Sequence, residues 1–174
     1  MLFARRGLAQ NSRQELAAVE ETEQSLITDE HRVMIGRKTE PRRHVLTAAD
    51  VSQVRTVLED IDPRYAKTTG LAAPYALSIL EPRPTSDLPP ELTPRVLPTS
   101  VLTQTEWTVH RPFRVEEELW ATHEVVDLRE RLGGRFGRSV LMLVRTEFRT
   151  AAGELLAETA HTVTQYDPNG RGPR

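Results

Sequence analysis

SVLMLVRTEFRTAAGELLAETAHTVT, Ser139 to Thr164, decides the fold. In its first half Met142, Val144 and Thr146 alternate with Leu141, Leu143 and the aliphatic stem of Arg145, which is the period of two that a β-strand imposes. Ala151-Ala152-Gly153 then supplies a turn, with a glycine for backbone angles other residues resist, and a second run follows from Leu155 to Thr164. The stretch reads as an antiparallel hairpin. Working outward, Glu118 to Asp127 and Val101 to Val109 are further strands. In the latter, Thr105, Trp107 and Val109 face away from Glu106, Thr108 and His110, and Gly133-Gly134 makes another hairpin connection. Four such strands are too few for a sandwich. They must bury one face under something apolar, and the only material available is helical and lies upstream. The predicted class is α+β, a curved antiparallel sheet wrapped around one or two helices. An edge without protective prolines is left over, ready to pair with a second copy or a relative.

Upstream, Ser12 and Glu15 form a capping-box pattern at the head of a sparse surface helix reaching Leu26. Val33-Met34-Ile35 is a short apolar strand or loop ending at Gly36. Thr47 and Asp50 form a second capping box, after which Val51, Val54, Val57 and Leu58 fall on one helical face. That helix must stop before Asp62-Pro63, which puts Asp60 in its last turn or just beyond. Tyr75 to Leu80 suits a short helix or a strand, and Pro82, Pro84, Pro89, Pro90, Pro94 and Pro98 then forbid regular structure. The expected organisation is an N-terminal extension over 1–30, partly disordered or helical, a single domain over 31–166, and a flexible tail over 167–174.

Composition removes several function classes. The chain has 174 residues, 38% of them hydrophobic, which fills one core. Without cysteine there can be no disulfide, thiolate metal site or cysteine nucleophile. The formal charge of -2, from 23 basic and 25 acidic side chains, provides no field that would steer nucleic acid. The apolar stretch in MLFARRGLAQ is too short for a signal peptide, and no run approaches the ~20 residues of a membrane span. A cytoplasmic location is expected.

Three blocks together resemble the MaoC-like dehydratase/hydratase family over Ile35 to Tyr166, specifically its divergent N-terminal-type domain. They are GRKTEPRRHVLTAADVSQVRTVLEDIDPRY, then GLAAPYALSIL, then the strand series from VLTQTEWTVHRPFRVEEELWATHEVVDL to LMLVRTEFRTAAGELLAETAHTVTQY. The resemblance implies a hot-dog fold and an acyl-CoA or acyl-carrier-protein thioester as substrate, with no cofactor and no metal. Catalytic members carry a segment like D-x-N-P-x-H, whose aspartate and histidine act as a general acid/base pair in adding or removing water. Here the matching string is Asp60-Ile61-Asp62-Pro63-Arg64-Tyr65, so Tyr65 stands where the histidine would be. A tyrosine of ordinary pKa, about 10, is a poor base near neutrality. Active members also have a stretch like I-A-H-G whose backbone N–H groups polarise the thioester carbonyl. Here Leu71-Ala72-Ala73-Pro74 matches it, and proline has no N–H to give. Losing one such donor costs about 3 kcal/mol of transition-state stabilisation.

The resemblance therefore implies a non-catalytic, channel-shaping subunit of a heteromeric (R)-specific enoyl-thioester hydratase or 3-hydroxyacyl-thioester dehydratase. The catalytic pair would come from a partner hot-dog chain in a heterodimer or dimer of heterodimers, with an acyl carrier protein as a further partner. Asp60 and Tyr65 are then vestigial, and Gly70, Leu71, Ala72, Ala73, Pro74 and Tyr75 form the substrate-binding stretch. Arg37, Lys38, Arg42 and Arg43 are the candidates for holding phosphates. Two alternatives stay open: a stand-alone thioesterase or dehydratase working through Asp60 or a carboxylate among Glu116 to Glu118, and a homodimeric acyl-thioester-binding protein. His31, His44, His110, His123 and His161 lack metal-ligand spacing and are read as surface or interface groups, with His110 and His123 on neighbouring strands. LGGRFG has neither the lysine nor the following helix of a phosphate loop.

Overall fold

The alternation at the C-terminal end is realised as three long strands, β5 (Glu118–Arg131), β6 (Ser139–Thr150) and β7 (Leu155–Tyr166). The computed structural model describes residues 25–66, 69–80 and 88–170, so the helix proposed from Ser12 lies outside the described residues apart from its last two. With β1 (Arg42–Val45) and β3 (Thr99–Val109) the long strands form one five-stranded antiparallel sheet in the order β1-β5-β6-β7-β3. All four expected strands are present and each runs slightly longer than the pattern indicated. What the pattern missed is β1 and a miniature second sheet, in which β2 (Leu71–Ala72) pairs with β4 (Phe113–Arg114). Two-residue strands carry no readable period.

Helical structure is modest. A single turn, α1 (Asp29–Arg32), precedes Val33-Met34-Ile35, which is a turn rather than a strand. The second helix, α2 (Ala48–Val57), opens on the expected capping box: Asp50 N donates to Thr47 Oγ1 at 3.2 Å and Thr47 N donates to an Asp50 carboxylate oxygen at 3.1 Å. Its apolar face is not buried as the spacing suggested. Val51 enters the core, but Val57 and Leu58 are 74% and 55% exposed, because only the first half of α2 lies over the sheet. Tyr75 to Leu80 falls almost entirely in a 3-10 helix, Pro74–Ile79. The proline-rich connection is held by the buried Gln165, whose amide oxygen accepts from Val96 N and Leu97 N and whose amide nitrogen donates to Pro94 O.

One face of the sheet carries two apolar clusters. Leu46, Val51, Leu77, Phe113, Leu119 and Phe148 make the first, under α2 and the 3-10 helix. Ile27, Val125, Leu128, Met142 and Val163 belong to the second. Between them runs a polar row of His123, Thr146, Thr159 and His161, each 4% exposed or less. His123 Nδ1 lies 2.8 Å from Thr146 Oγ1, and His161 Nδ1 lies 3.1 Å from Thr105 Oγ1 at the next strand. These two imidazoles are core groups, which corrects the surface reading. His110 and His123 do not face each other either, since β6 and β7 lie between β5, which carries His123, and β3, which His110 directly follows. His110 instead meets Glu158 at 3.0 Å.

The opposite, outer face is laced with charge: Glu124 and Glu147, largely covered, are held among Lys38, Arg145 and Arg149. Among the described residues no strand pairs with the far edge of β3, and Val101, Leu102 and Trp107 on it are 38%, 50% and 40% exposed. The end of the N-terminal extension is tied down, with Ser25 Oγ and Leu26 N both donating to Glu130.

Candidate functional site

Immediately after α2 the chain turns back through Glu59, which adopts a left-handed φ of 52°, into the Asp60–Tyr65 segment. Arg55, in the last turn of α2, organises that segment. Its Nη2 donates to Asp60 O at 3.1 Å and Asp62 O at 3.2 Å, its Nη1 donates to Tyr65 O, and its Nε sits 3.4 Å from an Asp60 carboxylate oxygen. A planar guanidinium with several fixed donors suits this task as no other side chain does. Tyr75 approaches from the 3-10 helix and its hydroxyl donates to the same Asp60 carboxylate, while Asp62 N donates to the other oxygen at 2.8 Å. Pro63 then starts a 3-10 turn capped by Asp62, which accepts from Arg64 N.

The electrostatic outcome is one-sided. The Tyr75 hydrogen bond, then the Asp62 N–H and the Arg55 charge, hold the Asp60 carboxyl below the usual carboxylate range. Burial, then the carboxylate itself, push the Tyr75 phenol up to about 12. Neither group is prepared for proton transfer near neutrality: Asp60 stays ionised and is a poor acid, and Tyr75 stays protonated and is a poor base.

A half-open groove of about 800 Å³ lies alongside. Its helix wall is Ala48, Ala49, Ser52 and Arg55, small side chains for most of its length, with Asp60, Ile61 and Tyr65 at one end and Gly70, Leu71 and Val115 opposite. Gly70 has φ +66° with open space where a Cβ would stand, so backbone angle rather than crowding calls for glycine. Its carbonyl accepts from Val115 N at 3.0 Å, which extends the small β2/β4 sheet along the groove. Ile61 is 92% exposed and, with Val57 and Leu58, leaves an uncovered apolar rim.

The sequence-derived site residues thus divide. Asp60, Tyr65, Gly70 and Leu71 meet at the groove, and Tyr75 reaches it through its bond to Asp60. Ala72 and Ala73 are core residues, 1% and 0% exposed, and Pro74 opens the 3-10 helix without an N–H. Of the basic group, Lys38 is engaged by Glu124 and Glu147 and Arg43 by Glu118, while Arg37 and Arg42 are exposed along the β1 edge. Among the described residues no histidine lines the groove. Of the carboxylates kept in reserve, Glu116 accepts from Ala48 N, Glu117 from Arg111 and Arg114 N, and Glu118 from Arg43. Arg55 was not legible as a site residue: its signal was only an arginine near the end of an apolar helix.

No protein-family model and no curated protein sequence matches the chain. Solved structures do. A chain of the ChsH1–ChsH2 complex from Mycobacterium tuberculosis superposes with a TM-score of 0.67 at 14% identity, over 83% of this chain and 98% of that one. A chain of the HadBC (3R-hydroxyacyl-ACP dehydratase) complex from the same organism gives 0.58 at 15% identity, over 75% and 96%. The (R)-hydratase from A. caviae involved in PHA biosynthesis gives 0.51 at 21% identity, over 76% and 96%. The fold is the hot-dog. At these identities the likeness is one of architecture, and in this hot-dog the helix in front of the sheet is short: the 3-10 helix Pro74–Ile79 occupies six residues. Among the described residues no helix is long and apolar enough to cross a membrane, and no group of three or more metal-ligating side chains gathers.

The locked carboxylate has a pH signature. A group whose pKa is lower folded than unfolded stabilises the fold above its unfolded value, and that contribution is lost as pH falls through the folded value. Asp60 is such a group. So is Glu147, where burial pushes upward but the Arg149 hydrogen bond and the charges of Lys38, Arg149 and Arg145 outweigh it. The share these carboxylates contribute should therefore hold from pH 7 down to about 5 and be lost below about 4, the ordinary carboxylate range. His44, whose pKa is lowered by burial and then by the Arg42 charge, takes stability away as pH falls below about 6.5. Asp60→Asn should fall less steeply over that lower interval in thermal melts at pH 7, 5 and 3. Parallel wild-type and variant profiles would contradict the lock.

Proposed function

We propose that this chain is the non-catalytic subunit of a heteromeric hot-dog enzyme that adds water to enoyl thioesters or removes it from (R)-3-hydroxyacyl thioesters. The observation that carries the reading is the state of the groove: the carboxyl of Asp60 is held ionised by Tyr75, Asp62 N and Arg55, and among the described residues no histidine lines the wall. Water addition needs a paired base and acid, and among the described residues the groove offers the carboxylates of Asp60 and Glu59 with no histidine beside them. What it does present is a lining suited to a flexible acyl chain, with small and apolar side chains backed by a rigid loop.

The partner is a second hot-dog chain joined through β3. The strand is eleven residues long, exposed on both faces, and one of its edges is unpaired among the described residues. An exposed edge of that length is normally covered. The apolar rim of Val57, Leu58 and Ile61 is left uncovered beside the groove and would gain from the same partner. Two of the similar structures are complexes of differently named subunits, which supports a heteromer over a pair of identical chains.

The test is a hydration assay on crotonyl-CoA and on longer enoyl thioesters. The purified chain alone should give no turnover above background, and co-expression with the hot-dog protein that co-purifies with it should restore turnover. Val101→Lys combined with Leu102→Lys should leave the chain folded, since both side chains are exposed, but weaken the complex at least tenfold in a pull-down titration. Robust hydration, or thiol release, by the isolated chain would refute the proposal. Cleavage abolished by Asp60→Asn would then assign a stand-alone enzyme, and a stable self-pair that binds thioester without turnover would assign a homodimeric binding protein.

A further inference from the structure

A second concavity lies on the other side of the sheet, and its lining differs in chemistry from the groove. The connection between β5 and β6 folds over the outer face, made possible by Gly133, Gly134 and Gly137 at φ +93°, +74° and +63°. The tip is pinned there: Phe136 packs on Tyr166 with ring centroids 4.5 Å apart, the Arg135 guanidinium lies 5.9 Å from the Phe136 ring, and Gly133 N donates to Gly137 O. Beneath it is a pocket of about 340 Å³.

Its walls bring together Arg131 and Arg135 with the hydroxyls of Thr103, Ser139, Thr162 and Thr164. Among the described residues no carboxylate lines it. The acids nearest in sequence are already committed, Asp127 to Arg129 at 2.5 Å and Glu130 to Arg138 at 3.0 Å. Among the described residues, neither Arg131 nor Arg135 has a carboxylate within ion-pair distance. Gln104, also in the wall, is held by Glu106 outside it, with its amide nitrogen donating at 2.6 Å. Thr103 Oγ1 donates to Thr162 O at 3.0 Å and lies 3.1 Å from Thr164 Oγ1, so the hydroxyl wall is itself ordered.

Two guanidinium groups, in a concave site lined by no acid among the described residues, match the oxygens of a phosphate group, which accept several hydrogen bonds and carry the complementary charge. The hydroxyls of Thr103 and Ser139 already donate to Thr162 O and Arg131 O, so the arginines are the principal donors. We infer that this outer-face pocket binds a phosphate-bearing small molecule. The volume admits a phosphoryl group with part of the unit that carries it. The contrast with Arg37, Lys38, Arg42 and Arg43 is physical, for Lys38 and Arg43 there are already neutralised by glutamates. The inference uses the opposite face of the sheet and none of the groove residues, and its only overlap with the thioester reading is Thr103 and Gln104 on β3, the strand proposed to meet the partner.

Isothermal titration of the purified chain at low ionic strength tests it, with adenosine 3′,5′-bisphosphate, ADP and inorganic phosphate as separate probes. One saturable site is expected for at least one of them, with affinity falling as salt rises. Arg131→Gln and Arg135→Gln should each weaken it tenfold or more. Arg129→Gln, which breaks only an exposed pair outside the pocket, should leave it unchanged, and melting curves should show all three variants folded. Preference for the 3′-phosphorylated nucleotide assigns the source to the nucleotide end of coenzyme A, preference for ADP to a free nucleotide, and equal binding of all three to the phosphoryl group alone. Absence of saturable binding by every probe, or full binding by the double arginine variant, would overturn the site.

Discussion

Arg55→Ala is expected to destabilise the chain by about 3 kcal/mol, the scale of losing hydrogen bonds from a charged donor to partly buried acceptors. The arginine is only 19% exposed and holds the carbonyls of Asp60, Asp62 and Tyr65 from one planar group. Removing it takes the guanidinium donor from the Asp60 and Tyr65 carbonyls, while Asp62 O keeps only Tyr65 N at 3.2 Å. The effect should reach beyond global stability. The loop over 58–66 has few other anchors, so limited proteolysis should cut there in the variant well before the wild type. Arg55→Lys keeps the charge but replaces a planar fork with a point, and should recover less than half of the loss. Equal denaturation midpoints for Arg55→Ala and wild type would show that the loop is held by something else.

Phe148→Ala carries the other large effect. Phe148 is fully buried on β6 in the cluster with Leu46, Val51, Leu77, Phe113 and Leu119, so truncation removes transferred surface and leaves a void at once. Such changes cost about 3–5 kcal/mol. For a chain of this size that is a fall of about 10 °C or more in melting temperature. The position also ties the sheet to α2, through Val51, and to the 3-10 helix, through Leu77. The groove walls should loosen along with the core, and a dye that reports exposed apolar surface should bind the variant more strongly. A variant that melts within a few degrees of wild type would mean that the site collapses without cost.

Legibility followed the strength of the local rule. β6 and β7 were readable because Met142, Val144 and Thr146 really do turn inward while Leu141 and Leu143 turn outward, so the period in the sequence is the period of burial. Thr47 and Asp50 were readable because a cap is settled within four residues. The α2 face was misjudged because periodicity states which side chains align, not how far the underlying sheet extends. Val57 and Leu58 align with Val51 and still overhang. Buried histidines were unreadable because burial of His123 and His161 rests on threonines from other strands, 23 and 56 positions away in sequence. At the candidate site, the departures at Tyr65 and Pro74 could be read directly. The Arg55 and Tyr75 contacts that hold Asp60 could not, because both come from elements whose approach only the fold fixes.

The polar row across the inner face has a bearing on how the strands find one another. Sliding β5 along β6 by two positions would preserve the inside-outside alternation, and a uniformly aliphatic pair would hardly register the error. Here the error would be felt at once, since His123 would leave Thr146 and come to lie opposite Val144 or Phe148, an imidazole against hydrocarbon with its partner gone. The row acts as an alignment mark that only one pairing satisfies.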